Sequence, residues 1–281
     1  MIARAEVDGY RLLDGFAADL GPLTVVIGAN AVGKSTLIDC LQLVAQCAEF
    51  PVNTALGVHW GAASVLTAGR DERKLAWRVT VRKPSASRWR QVPLDEACPL
   101  VYEVVLQAEP YGQVRPQHEV LRNAEPTPGH AEPDKYMEAT PSGRMIRNKR
   151  GDLVPFDVAQ PRPPQAREGD SAEPMRSGNG SPQATQQDAA LLLSQMRFLN
   201  EFPVPSVLRI LLANMAFYPG FDVTRSSALR TKPAEIRPVT TLAPNGENLG
   251  TRSRAVPHLQ ERRGLDRMPH RSTGILTPGL S

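Results

Sequence analysis

The residues whose types and spacing could do chemistry are concentrated in Leu23–Thr36, LTVVIGANAVGKST. Within it, Gly28-Ala29-Asn30-Ala31-Val32-Gly33-Lys34-Ser35 satisfies the phosphate-loop pattern G-x-x-x-x-G-K-[ST] at every fixed position. Glycine at 28 and 33 permits positive φ and close backbone approach, so successive N–H groups can turn inward around an anion. A helix opening after Gly33 aims its free N–H donors at the same spot. Lys34 would bridge β- and γ-phosphates, and the Ser35 hydroxyl would complete the shell of a Mg²⁺ ion. The candidate nucleotide-binding residues are Gly28, Ala29, Asn30, Ala31, Val32, Gly33, Lys34, Ser35 and Thr36, with Ser35 as the metal contact. The loop does not choose between adenine and guanine.

Elements on both sides must position that loop. The β-branched and aliphatic run Leu23–Ile27 predicts a strand leading in, and Leu37, Leu41, Val44 and Ala48 recur at helical spacing over about Lys34–Glu49. This context argues against a chance glycine-rich turn. Cys40 and Cys47 fall on the same helix, where a buried apolar role suits them better than ligation or nucleophilic attack. Upstream, Ile2–Tyr10 and Arg11–Leu20 read as two strands around a turn at Asp14-Gly15. Downstream, Ala62–Thr67 is expected to be a strand within the ambiguous stretch Val52–Gly69.

Lys74–Arg82 alternates cleanly, with Leu75, Trp77, Val79 and Val81 on one side. Further strands are expected over Leu100–Gln107 and Gln117–Arg122, with Tyr136–Ile146 and Leu153–Phe156 forming a hairpin. The block is an antiparallel sheet with one wet face. Its outer Arg78, Arg82 and Lys83 suit a solvated face better than a phosphate-contact surface. Ala159–Gln187 is rich in Pro, Gly, Ser, Gln and charge and predicts a disordered linker. A helix over Asp188–Leu199, with Asp188 near its N-cap, and another over about Pro205–Met215, capped by Ser206, follow. Val207, Leu208, Leu211 and Leu212 should face inward on the second.

At 281 residues, the chain has room for one large or two modest domains; 26 prolines are many and an aromatic share of 5% is low. The net charge of +4 is not spread along it. Residues 251–281 hold six arginines against Glu261 and Asp266, while 27 basic side chains balance 27 acidic ones before them. The isoelectric point of about 9.1 is therefore no argument that the folded part binds nucleic acid. The last 31 residues lose hydrophobic periodicity; they fit either a shifted reading frame of GC-rich DNA or a natural basic tail. No run of 18 apolar residues and no signal-peptide core is present, so a cytoplasmic location is expected. Three cysteines without C-x-x-C spacing and five scattered histidines offer no metal cluster.

With these pieces in place, the chain resembles the ABC-like heads of the RecF/SMC branch, grouped with AAA-family ATPases. The resemblance rests on GANAVGKSTLID, the antiparallel subdomain behind it, LLLSQM, and FYPGF…SSALR…LAPNGENLGT, over about residues 1–250 apart from the linker. It implies an α/β fold: the N-terminal lobe of a P-loop NTPase head with an antiparallel β-subdomain and a helical segment. The implied layout is 1–158 for the phosphate-loop core and β-subdomain, 159–187 for the linker, 188–250 for the helical segment and polar loop, and 251–281 for the tail. ATP and Mg²⁺ are the implied cofactors, an ATP-dependent homodimer through a further C-terminal lobe the implied assembly, and DNA a conceivable partner. Gln195 would be the glutamine that senses Mg²⁺ and links the lobes. Ala31 departs from the family, which usually has glycine there; alanine is tolerated if its φ is negative.

The C-terminal lobe of such heads carries an LSxG signature, a Walker B strand ending in Asp-Glu, and a switch histidine. Leu94-Asp95-Glu96 follows Pro93, which does not suit a buried central strand, and Leu193-Ser194-Gln195 lacks the signature glycine. Nucleotide binding is therefore expected and hydrolysis by this chain alone is doubtful; catalytic residues are unassigned. Two other functions compete. One is a complete P-loop GTPase or kinase, suggested by Asn148-Lys149-Arg150-Gly151-Asp152, although the aspartate falls one residue late for N-K-x-D. The other is a non-enzymatic interaction fragment that keeps its phosphate loop as scaffold.

Overall fold

The computed structural model describes residues 1–59, 61–82, 98–109, 112–156 and 190–218. The chain divides into two compact units, Met1–Met215 and Ala216–Ser281, and all but three of the described residues belong to the first. Arg82 is exposed, while Lys83, the linker 159–187, Leu94-Asp95-Glu96, Asp188, the polar loop after residue 218 and the tail 251–281 lie outside the described residues.

Among the described residues, eight antiparallel strands form one sheet in the order β2-β1-β3-β4-β5-β6-β7-β8. They are β1 (Ile2–Asp8), β2 (Phe16–Asp19), β3 (Lys74–Val81), β4 (Leu100–Ala108), β5 (Val114–Asn123), β6 (Lys135–Thr140), β7 (Gly143–Arg147) and β8 (Leu153–Pro155). The alternation in β3 does what its pattern requires, because Leu75, Trp77, Val79 and Val81 are all buried. Register carries that face across the sheet: Val79 pairs with Tyr102, Tyr102 with Leu121, Leu121 with Met137, and Met137 with Ile146. Pro116, which cannot donate to a ladder, sits where the β4–β5 register slips between Val105 and Leu106.

The other face is a charge ladder. Arg78 pairs with Glu6 at 3.0 Å and Glu103 at 3.2 Å, and Arg122 reaches Glu103 at 2.7 Å. Arg78 is thus committed to carboxylates within the sheet, in keeping with a solvated face.

Against the apolar face pack α1 (Lys34–Cys47), α2 (Val52–Val58), a short α3 (Ala62–Val65) and α4 (Pro203–Ala213), whose apolar sides join the same core. Asn53 ties α2 to the sheet, since its Oδ1 accepts the Val114 N–H at 2.9 Å and its Nδ2 donates to the Val114 carbonyl. Arg11 fixes α1 through an ion pair with Asp39 at 2.8 Å.

Four local expectations are corrected. Ala62–Val65 is helical rather than a strand; a short apolar run does not distinguish the two. The stretch after residue 190 is a 3₁₀ turn at Leu193–Gln195, not a helix to Leu199. Helix α4 opens with Pro203 in its first turn, so Ser206 lies inside the helix, buried, and caps nothing. Leu23–Ile27 belongs to none of the eight strands: Leu23, Val25, Val26 and Ile27 are 86%, 71%, 49% and 88% exposed. β-branched content favours a strand only where a neighbour supplies hydrogen bonds and a packing face.

Candidate functional site

The loop residues Gly28–Val32 are exposed and lead into α1, whose N-cap is Gly33 at φ +97°. The first helical hydrogen bond runs from the Leu37 N–H to the Gly33 carbonyl at 3.0 Å, so the N–H groups of the opening turn have no partner within the helix. No side chain caps that end, and its first turn contains no acidic residue. The end of a 14-residue helix is left open to an anion.

Lys34 folds back over the loop. Its ammonium donates to the Gly28 carbonyl at 2.8 Å and to the Ala29 carbonyl. The side chain that would bridge phosphates thus already lies in the loop's curl. Ser35 is exposed on the first turn, while Thr36 is buried and anchors the helix start.

The two loop glycines serve different needs. Gly33 adopts the left-handed φ expected of it. Gly28 does not have positive φ; a Cβ there would instead come within 3.1 Å of Val32 Cγ2, a tight contact that the exposed Val32 side chain would have to ease. The left-handed position inside the loop falls on Ala31, at φ +64°, so the negative φ at which alanine is tolerated is not met. Alanine is strained there, which gives the usual glycine of such loops a physical reason.

Gln195 closes the 3₁₀ turn, and both atoms of its side-chain amide are buried with no hydrogen-bond partner. No hydrogen bond joins it to the loop. The turn that presents it is held at both ends. At its start, Glu119 of β5, only 1% exposed, accepts the Leu192 N–H at 2.5 Å, the Leu193 N–H at 2.9 Å and the Tyr102 hydroxyl at 2.9 Å. At its end, Arg209 of α4 donates to the Met196 carbonyl at 2.8 Å. Burial pushes the Glu119 carboxyl up to about 7, against the pull of the two backbone donors and the Tyr102 hydroxyl. Cys47, at the far end of α1, is fully enclosed; burial foremost, with the Cys40 and Glu119 charges behind it, raises its thiol far above the ordinary value. Burial pushes Cys40 up to about 12, so both cysteines are the inert apolar residues expected.

Glu119 was not among the residues singled out from the sequence. Its signal was there: it stands two residues before Leu121, in phase with the inward side of β5. An ionisable residue in phase with a buried face has to find partners inside. Asn148, by contrast, is already engaged. Its Oδ1 accepts the Arg150 and Asp152 N–H groups in the turn between β7 and β8, with Gly151 at φ +93°. That segment is a strand connection, not a base reader.

A mixed α/β unit with an antiparallel sheet and a phosphate-loop helix is consistent with a P-loop NTPase-like fold. Residues 23–91 match the family model described as "AAA domain, putative AbiEii toxin, Type IV TA system". The match spans all of Gly28–Thr36 and supports an AAA/ABC-like domain over that stretch. Among solved structures, one concerning "ATP-driven dimerization and DNA stimulated activation of SMC ATPases" is 16% identical, covers 44% of this chain and 72% of that chain, and superposes with a TM-score of 0.30. No curated protein matches. Among the described residues, no helix is long and apolar enough to cross a membrane.

Proposed function

We propose that this chain binds Mg-ATP through Gly28–Thr36 as the N-terminal lobe of an ABC-like ATPase head, and that it does not turn ATP over by itself. The observation that carries the proposal is the uncapped, acid-free N-terminus of α1 behind the curl of Gly28–Gly33, inside the AAA-matched segment. Bound Mg-ATP supplies a transferable γ-phosphoryl group. This chain's residues would hold it: the backbone N–H groups of the loop and of Lys34–Thr36 would donate to the phosphates, the Lys34 ammonium, now on the Gly28 carbonyl, would be available to the β- and γ-phosphate charge, and the Ser35 hydroxyl would be the Mg²⁺ ligand. Among the described residues, no group of three or more His, Cys, Asp or Glu could hold a metal. Gln195, with its unpartnered amide, is the residue we assign to sensing the metal and γ-phosphate.

The exposed run Leu23–Ile27 supports the second half of the proposal. Four apolar residues and Thr24, leading straight into a phosphate loop, suit a strand in a sheet supplied by a second lobe, which would also bring Walker B and signature groups. ATP-dependent pairing of two heads, in the cytoplasm and with DNA as one conceivable partner, belongs to that completed assembly. The test is [γ-³²P]ATP turnover by the purified chain. Stoichiometric binding without multiple turnover is expected, and multiple turnover that disappears in Lys34→Ala would overturn the claim that this chain lacks catalysis.

A further inference from the structure

We propose that the cavity over Ala139 is a binding site for a small organic monocarboxylate, anchored by the Arg144 guanidinium. The site is independent of the nucleotide reading, because none of Gly28–Thr36 lines this cavity. Register puts its key residues in one row on the core face of the sheet: Glu119 of β5 pairs with Ala139 of β6, and Ala139 with Arg144 of β7. Arg144 shares that face with the buried Ile146 two residues on, as Glu119 does with Leu121. Two strand spacings, about 9.5 Å, separate the backbones at Glu119 and Arg144, and the side chain between them in the row is the single methyl of Ala139. The gap opens into a cavity of about 910 Å³, the size of a small-molecule site.

The charges around this cavity are unevenly matched. Glu119 accepts three hydrogen bonds, and Arg115 is taken by Glu109 at 2.7 Å. Arg144 is half-buried, and among the described residues its guanidinium has no hydrogen bond and no ion pair. It acts on Glu119 only across the gap, where its charge works against the burial that raises that carboxyl. A guanidinium on the core face of a sheet is costly without an anion to meet it. Its planar fork matches a carboxylate. Glu119 and Glu109 also line the cavity, so a single negative charge is favoured over a dianion such as a phosphate ester. The Thr140 and Ser142 hydroxyls, 2.9 Å apart in the turn between β6 and β7, add polar groups to the lining. Phe156, Met145 and Leu192 supply apolar wall for the body of the acid.

The probe is benzoate, titrated into the full chain labelled with ¹³C at the alanine methyls and ¹⁵N in the arginine side chains. The Ala139 methyl and Arg144 Nε–H resonances should shift together and saturate, with a dissociation constant of about 1 mM or tighter. Arg144→Gln should weaken benzoate by about tenfold or more, with an unchanged urea midpoint because the guanidinium has no partner to lose. On wild type, benzyl alcohol keeps the ring without the charge, and phenyl phosphate carries a second charge. Each should bind about tenfold or more weakly than benzoate. That series needs no variant and decides the matter if Arg144→Gln does not fold. Equal affinity for benzyl alcohol, or benzoate binding indifferent to Arg144→Gln, overturns Arg144 as the anchor. Tighter binding of phenyl phosphate overturns the monocarboxylate class. No saturable shift at Ala139, or shifts confined to Ala29 and Ala31 of the phosphate loop, overturns the site itself.

Discussion

Replacing Ala31 by glycine should tighten nucleotide binding. Ala31 holds φ +64° in the middle of the phosphate loop, a conformation that costs an L-residue about 1–2 kcal/mol. Its side chain is exposed, so removing the methyl group sacrifices no core packing. Glycine gives back about 0.4–1 kcal/mol through the greater freedom of the flexible chain. The balance favours the ordered loop by about 0.5–1 kcal/mol, which corresponds to about a two- to fivefold lower Kd if the loop orders on binding. Titration calorimetry with Mg-ATP on wild type, Ala31→Gly and Ala31→Val measures it. Valine, β-branched at positive φ, should weaken binding, giving the order Gly, Ala, Val. Ala31→Gly binding more weakly than wild type, or Ala31→Val binding equally well, would refute the strain argument.

Other outcomes follow from the same structure. Glu119 keeps its proton to a higher pH in the folded protein than in the unfolded chain, so its contribution to stability is complete below about pH 4.5 and lost as pH rises through about 7. The stability of wild type relative to Glu119→Gln should fall by about 3 kcal/mol over that window, read from urea unfolding at several pH values; a flat difference, or one of opposite sign, would show that the carboxyl is not shifted upward. Cys40 and Cys47 should resist alkylation at pH 8 in the folded protein while the half-buried Cys98 reacts, and all three should react in urea; rapid native labelling of Cys47 would contradict its burial. Val25→Lys should change folding stability by no more than about 0.5 kcal/mol, because the side chain is already in water, whereas Val79→Lys should unfold the sheet. A large loss at position 25 would mean that Leu23–Ile27 is part of this unit's core.

What the sequence made legible is what short-range chemistry determines. The period-2 pattern of Lys74–Arg82 had one face to bury, and it buries it. The phosphate-loop helix began at Lys34 because Gly33 supplies the left-handed entry and an apolar stripe follows. The missed features are long-range. Leu23–Ile27 has strand composition, but a strand also needs a neighbour, and the eight strands pair without it. Residues 190–196 have helical composition, yet Glu119 captures the Leu192 and Leu193 amides and holds a single 3₁₀ turn. The φ of Ala31 belongs to the closed loop, in which Lys34 also reaches back to Gly28, and residue types alone do not reveal it. Ser206 is a good cap by type, and Pro203 pre-empted it by starting the helix earlier.

The central claim is that Gly28–Thr36 is a working nucleotide cradle, and equilibrium titration of Mg-ATP into wild type and Lys34→Ala tests it most directly. The account predicts one site per chain in the wild type and loss of about tenfold or more in affinity when the Lys34 ammonium is removed, with an unchanged urea midpoint. No binding by folded wild type, or binding indifferent to Lys34→Ala, would contradict it.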